Sequence, residues 1–227
     1  MTRLALALLG PPLITLDGAP LPALKRLKVQ ALLAFLAVEA ARSHRREELT
    51  GLLWPDQPEE AARDNLRVTL YRLRQALQES PDGPVLHITR ETVRFNSASD
   101  HWLDVATFDS LLAACRAHVH PAEVCETCAD HLTQAVALYR GEFLAGLALA
   151  DSAAVEEWAV RQREVRRRQA LDALATLATY YENRRDDTAL CRVARRQLEL
   201  EPWHEAAHRS LMRGLARLGD RAAAQAH

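Results

Sequence analysis

The stretch RDNLRVTLYRLRQALQ, residues 63–78, decides how this chain is read. At 100° per residue Leu66, Leu70, Leu73 and Leu77 fall in one stripe, the pattern of a helix lying on a core. Opposite that stripe the same periodicity places Asn65, Val68, Arg72 and Gln75, flanked by Arg63, Arg67, Tyr71 and Arg74. A valine turned to water gains little, so this side reads as a surface built to touch something. Arginine pairs bidentately with guanine O6 and N7, asparagine and glutamine pair with adenine, and a valine methyl meets a thymine methyl. The mixture suits a major groove. A solvated amphipathic helix would have a similar composition, so the surroundings have to decide.

Working outward, LALALLG and LITLDG within residues 4–22 read as short strands, with Asp17-Gly18 as a turn and Pro20 and Pro22 ending the pattern. Helical spacing predicts a helix over about Leu24–Ala41. A second helix runs from Ser43, as N-cap, to Trp54-Pro55. The quoted helix follows PDQPEE and closes at SPDGP, and VLHIT and TVRFN flank Arg90-Glu91 as a hairpin. Strands, three helices and a hairpin form the order of a winged helix-turn-helix with an added N-terminal sheet. There the third helix enters the major groove, and the hairpin carries Arg90 at its tip and Arg94 on its second strand.

From Asp104 onward the chain reads as helix: Asp104–His118, Cys128–Tyr139, Ala153–Asn183, Thr188–Leu200 and His204–Leu218. RDDTAL at 185–190 and GDRAAA at 219–224 stand one tetratricopeptide period apart, about 34 residues. The expected fold is therefore mainly α with small β elements. It comprises a winged helix-turn-helix domain over residues 1–99 and an all-α, tetratricopeptide-like helical-repeat domain over residues 100–227, whose last repeat reads as truncated.

Composition bounds the partner. With 48% hydrophobic residues and only 8 glycines the chain can build a packed core, and a formal net charge of −1 excludes binding to nucleic acid by bulk charge. Any nucleic-acid site must be local. Lysine occurs only at 25 and 28, so positive charge is almost all arginine. The leucine–alanine run at the N-terminus stops at Gly10-Pro11-Pro12, too short for a secretory signal, and no stretch has the roughly 18 apolar residues of a membrane span. The expected location is the cytoplasm, with no membrane partner, where cysteines serve as thiols or metal ligands rather than disulfides.

LKRLKVQALLAFLAVEAARSHRREELTGLLWPDQPEEAARDNLRVTLYRLRQAL resembles the OmpR-type winged helix of SARP-type bacterial regulators. DVATFDSLL, LTQAVALYRGEFLAGL and EEWAVRQREVRRRQALDALATLA resemble their bacterial transcriptional activator domain. The resemblance implies a DNA-binding transcriptional regulator, an activator, that binds tandem direct repeats in double-stranded promoter DNA as a homodimer and contacts RNA polymerase holoenzyme. It implies no required cofactor. The DNA-contacting set read from the helix and hairpin is Arg63, Asn65, Arg67, Val68, Tyr71, Arg72, Gln75, Arg90 and Arg94.

CRAHVHPAEVCETC places Cys115 and His118 three apart at one helix end, and Cys125 and Cys128 three apart at the next helix start. Two such pairs on antiparallel helices could converge on a structural zinc with Cys3His ligation, His120 and His131 being substitutes. Plain core cysteines, or a reversible dithiol at Cys125 and Cys128, are the other readings. Cys191, alone in a later helix, reads as core. RQREVRRRQ at 161–169 reads as a solvated face balanced by Glu156, Glu157 and Glu164. Trp54, Trp102, Trp158 and Trp203 read as packing anchors. No nucleophile motif or glycine-rich phosphate loop is present, so an enzyme reading has no site. The functional rivals are a protein-interaction scaffold whose winged domain no longer binds DNA, and a zinc- or thiol-responsive module.

Overall fold

The computed structural model describes residues 4–21, 24–77, 83–119 and 124–226. Pro22, most of the SPDGP turn and His120 lie outside these. The chain divides into two compact units, Met1–Ala106 with Gly141–Arg163, and Thr107–Arg140 with Glu164–His227. The units are thus interleaved in sequence: the chain leaves the first, enters the second and returns. No helix of the described residues is long and apolar enough to cross a membrane.

The first unit opens with β1 (Leu4–Ala7), β2 (Leu13–Leu16) and β3 (Ala19–Pro20). Leu4 and Leu6 alternate inward, and Asp17 and Gly18 take positive φ to turn β2 into β3. After these come α1 (Leu27–Val38), β4 (His44–Arg45), α2 (Arg46–Leu53), α3 (Glu59–Leu77), β5 (Leu86–Ile88), β6 (Thr92–Phe95) and β7 (His101–Leu103). Two sheets result, β3-β2-β1-β7, in which β7 runs parallel to β1, and β4-β6-β5. Helix α1 is buried without a break from Ala31 to Ala37, as a helix apolar on all sides must be. This is a winged helix with an added sheet.

Two local expectations change. Ser43 does not cap α2; His44 and Arg45 pair with Val93 and Thr92 of the wing, so the ladder takes them and the helix begins at Arg46. His44 is fully buried there against Phe35, its Nε2 3.1 Å from the Glu39 carbonyl oxygen. Strand β7 was not expected, because three residues carry no periodicity and its partner lies at the other end of the unit.

The return segment begins within ALYRGEFLAGL. Phe143 bridges Leu9 and Gly10, Leu144 N–H donates to the Leu8 carbonyl at 2.9 Å, and Ala145 N–H to that of Gly10 at 3.1 Å. Leu144 and Gly146 hold positive φ in this turn. Arg163 covers its open carbonyls, donating from Nε to Phe143 at 3.0 Å and from Nη2 to Leu147 at 3.5 Å. At the start of α6 (Ala153–Asn183) the Trp158 ring meets Phe35 and Phe143 edge-on, and its Nε1–H donates to Glu39 at 2.9 Å. Ser152 and Lys28 both donate to the last carbonyl of α2, at Leu53, and Lys28 also pairs with Asp151.

The second unit holds most of α4 (Asp104–Ala117), α5 (Glu126–Leu138), the remainder of α6, α7 (Asp187–Leu200), α8 (Glu205–Arg217) and α9 (Arg221–Ala226). The tetratricopeptide-like repeat is visible in the caps. Arg185 and Gly219, one period apart, both take positive φ at a helix end. Asp186 N–H donates five residues back to Tyr181, and Asp220 N–H likewise to Leu215, each at 3.0 Å, the closing bond of a Schellman motif. Each aspartate then caps the next helix, accepting from Ala189 at 2.9 Å and from Ala223 at 3.0 Å. Cys191 is buried with Ala194, Leu211 and Leu215, as its helix position implied. Trp203 is 92% exposed and anchors nothing, unlike the buried Trp54 and Trp158. The basic run is not a mere solvated face either: Arg166 is buried and donates to Asp109 at 3.1 Å.

Replacing Trp158 by alanine should cost about 3–5 kcal/mol in denaturant unfolding, whereas W158F should cost less, about 1.5–3 kcal/mol for the lost indole bond to a carboxylate. A penalty for W158A below that of W158F would mean the aromatic wedge does not hold the return segment. At Gly214 an added Cβ would stand 2.6 Å from Cys191 Sγ. Gly214→Ala should therefore destabilise by about 1–3 kcal/mol, and most of that penalty should vanish in a Cys191→Ala background.

Candidate nucleic-acid interface

Helix α3 sets its core stripe first. Ala62, Thr69 and Ala76 are buried together with Leu66, Leu70, Leu73 and Leu77. These smaller residues widen the stripe toward one flank, and that moves the free face. Asn65 and Arg72 are half-buried, and Asn65 donates to the Gln57 side chain in the loop before the helix. The face centred away from the core carries Asp64, Arg67, Val68, Tyr71 and Gln75, with Arg63 and Arg74 beside it. Val68 is 39% exposed and Tyr71 64%. A leucine-only stripe missed this rotation, because Ala and Thr were not counted among the buried positions.

The wing stands beside this face. At its tip Thr89 Oγ1 accepts from the N–H of Glu91 at 3.2 Å and of Thr92 at 2.9 Å, a hydroxyl-stabilised turn that presents Arg90. Arg46, the first residue of α2, holds this loop by its backbone, donating to Glu91 at 2.9 Å, and by its Nε, donating to Thr89 at 3.1 Å. Arg94 points elsewhere, its Nε 3.4 Å from the Ala40 carbonyl.

Between α3, the start of α2 and the wing tip lies a cleft lined by Arg45, Arg46, Arg63, Arg67 and Arg90, with Glu47, Asp64, Leu66, Glu91 and Thr92. Arg45 and Arg46 escaped the sequence reading, because SHRREEL looked like a helix start rather than a strand feeding the wing. Arg63 pairs with Glu59 and lies 4.0 Å from Glu47, and Arg67 lies 3.3 Å from Asp64. All these partners are exposed, and exposed pairs contribute only about 0–1 kcal/mol. A phosphate can therefore replace them at little loss.

The cysteine and histidine residues at the α4–α5 joint also come together. His118 Nδ1 is 3.2 Å from Cys128 Sγ and 3.4 Å from Cys125 Sγ. The ligand atoms of His118, Cys125 and Cys128 all lie within 4.8 Å of one another. Cys115 Sγ donates to the Cys128 carbonyl at 3.5 Å. Burial, reinforced by the Cys125 and Cys115 thiols, pushes the Cys128 thiol up to about 12. Cys125 is the N-cap of α5, which begins at Glu126, earlier than the spacing suggested. His131 is not among the converging ligands.

Comparison with known proteins agrees with this architecture. The family profile described as bacterial transcriptional activator domain matches residues 103–227. Among solved structures, EmbR from Mycobacterium tuberculosis, in complex with a low-affinity phosphopeptide, has a TM-score of 0.73 at 24% identity, over 99% of this chain and 57% of that one. The present chain thus spans little more than half of that protein, and the likeness is one of fold. No curated protein sequence matches significantly.

Proposed function

The chain belongs to the bacterial transcriptional activator domain family, whose members are SARP-type transcriptional regulators, and from that premise we propose that its first unit reads promoter DNA through α3 and the wing. The observation that carries this is the cleft where five arginines converge beside an exposed helix face, on a chain whose net charge is −1. Local concentration of guanidinium groups against a neutral background supports phosphate binding at one place, since phosphate contacts position a protein and base contacts specify it.

Within that reading Arg67, Val68, Tyr71 and Gln75 face the base edges. The Val68 methyls meet thymine, and the Tyr71 ring packs on sugar and base edges that would otherwise leave it wet. Arg63 and Arg90, with Arg45 and Arg46, hold phosphates on either side of the groove. Asn65, Arg72 and Arg94 sit on the margins, so their contacts are to backbone oxygens. Two copies on direct-repeat half-sites, joined through the helical unit, gain affinity by effective concentration, which offsets the weak grip of one module. The helical unit is then the surface for RNA polymerase holoenzyme, and the protein works in the cytoplasm. No catalytic step is assigned.

The test begins with selection of preferred duplexes from a random pool, followed by binding to the selected site across a salt series. Arg67→Ala should weaken the selected site by about 1–3 kcal/mol and relax its sequence preference. Arg90→Ala should weaken all duplexes alike and reduce the salt slope by about one. Unchanged affinity and slope in the Arg67, Arg90 double alanine variant would instead make the winged unit a scaffold.

A further inference from the structure

The α4–α5 joint has a chemistry that DNA binding does not use. His118 follows the last turn of α4, Cys125 caps α5 and Cys128 sits in its first turn. Three side chains from two helices thus aim their soft ligand atoms at one point. A tetrahedral zinc with Zn–S of about 2.3 Å and Zn–N of about 2.0–2.1 Å requires an N···S separation of roughly 3.6 Å. The two His118 Nδ1···Sγ distances, 3.2 and 3.4 Å, are within a few tenths of that. A single thiol–imidazole hydrogen bond would bring one sulfur to this nitrogen, whereas here two sulfurs share it.

We propose that His118, Cys125 and Cys128, with Cys115 as the fourth ligand, bind one zinc ion that staples the end of α4 to the start of α5. Cys115 lies on the last turn of α4, three residues before His118, and its sulfur already reaches the Cys128 carbonyl. To complete the site this sulfur must leave that carbonyl by a change of χ1 rotamer, since only His118, Cys125 and Cys128 already converge. The thiols bind as thiolates and their protons pass to solvent. The resulting site, three thiolates and a neutral imidazole about a divalent ion, carries one negative charge. Arg116 lines the same cavity as Cys115 and Cys128 and supplies a cation beside it. Four protein ligands leave no open position, so the ion is structural. Its effect is to hold the joint of the second unit, independent of whether α3 binds DNA.

The experiment uses the full chain purified under reducing, chelator-free conditions. Elemental analysis should find one zinc per chain, and exchange for cobalt should give thiolate charge-transfer bands whose intensity corresponds to three sulfur ligands. Cys115→Ser, Cys125→Ser and Cys128→Ser should each lose one thiolate's share of that intensity. Each should also weaken zinc more than about tenfold, the scale at which even an outer partner's loss registers. Should a variant fold poorly, the unaltered protein serves: a strong chelator should lower its melting temperature and added zinc should restore it. The proposal is overturned by absence of metal and of a cobalt spectrum in protein whose four thiols titrate as free. It is equally overturned if Cys125 and Cys128 form a disulfide while zinc has no effect on melting, since the pair is then a redox couple.

Discussion

The first unit depends on one aromatic wedge. Trp158 stands edge-on between Phe35 and Phe143 while its indole N–H is taken by Glu39. Phe35 belongs to the central buried helix, and Phe143 to the turn that bridges back to Leu9 and Gly10. Removing the wedge would uncover the two phenyl rings it packs on and leave Glu39 without its indole donor. The wedge is also why the winged unit is not a contiguous piece of chain. Its core is completed only when residues 141–163 come back, and a winged helix cut at the end of its wing would lack that wall.

Electrostatics then decides what the unit can do. A chain with 29 basic and 30 acidic residues has no long-range pull on a polyanion. Its arginines matter where the fold gathers them, and the gathering is a product of strand pairing. Arg45 is placed by β4 against β6, Arg46 fastens the wing loop, and Arg63 and Arg67 come one turn apart along α3. The acidic groups in the same cleft do not cancel this. At exposed positions they hold the arginines weakly, fixing their direction without satisfying them beyond exchange.

What could be read from residues alone followed the range of the physics. The helices came through because their periodicity is local, and the repeat because positive φ, a Schellman bond and an aspartate cap all lie within a few residues of Asp186 and of Asp220. The approach of His118 to Cys125 and Cys128 was legible for the same reason, the residues lying close in sequence, although Cys115 stands apart at the Cys128 carbonyl. Strand β4 was hidden because two residues make a strand only if a partner 49 positions away accepts them, as Val93 does for the buried His44. Strand β7 was hidden similarly by its dependence on β1. On α3 the error was one of degree: Leu residues located the core, but Ala62, Thr69 and Ala76 set its width and so turned Tyr71, rather than Arg72, to the centre of the free side.

The interleaving also bears on the joint between α4 and α5. The chain leaves the first unit after Ala106, just past Asp104, whose buried carboxylate accepts from Leu9 N–H at 2.8 Å and from Val105 N–H at 2.8 Å. The first unit resumes at Gly141, so in chain order α4 and α5 lie between its two parts. The cost of closing such a loop grows only slowly with its length. A cross-link between His118 and Cys125 closes a short inner segment and so removes less chain entropy than one across a long loop. Whatever stabilises the joint must act on the angle and register of the two helices, which is what directional bonds to a single centre do and what apolar contact, being non-directional, does poorly.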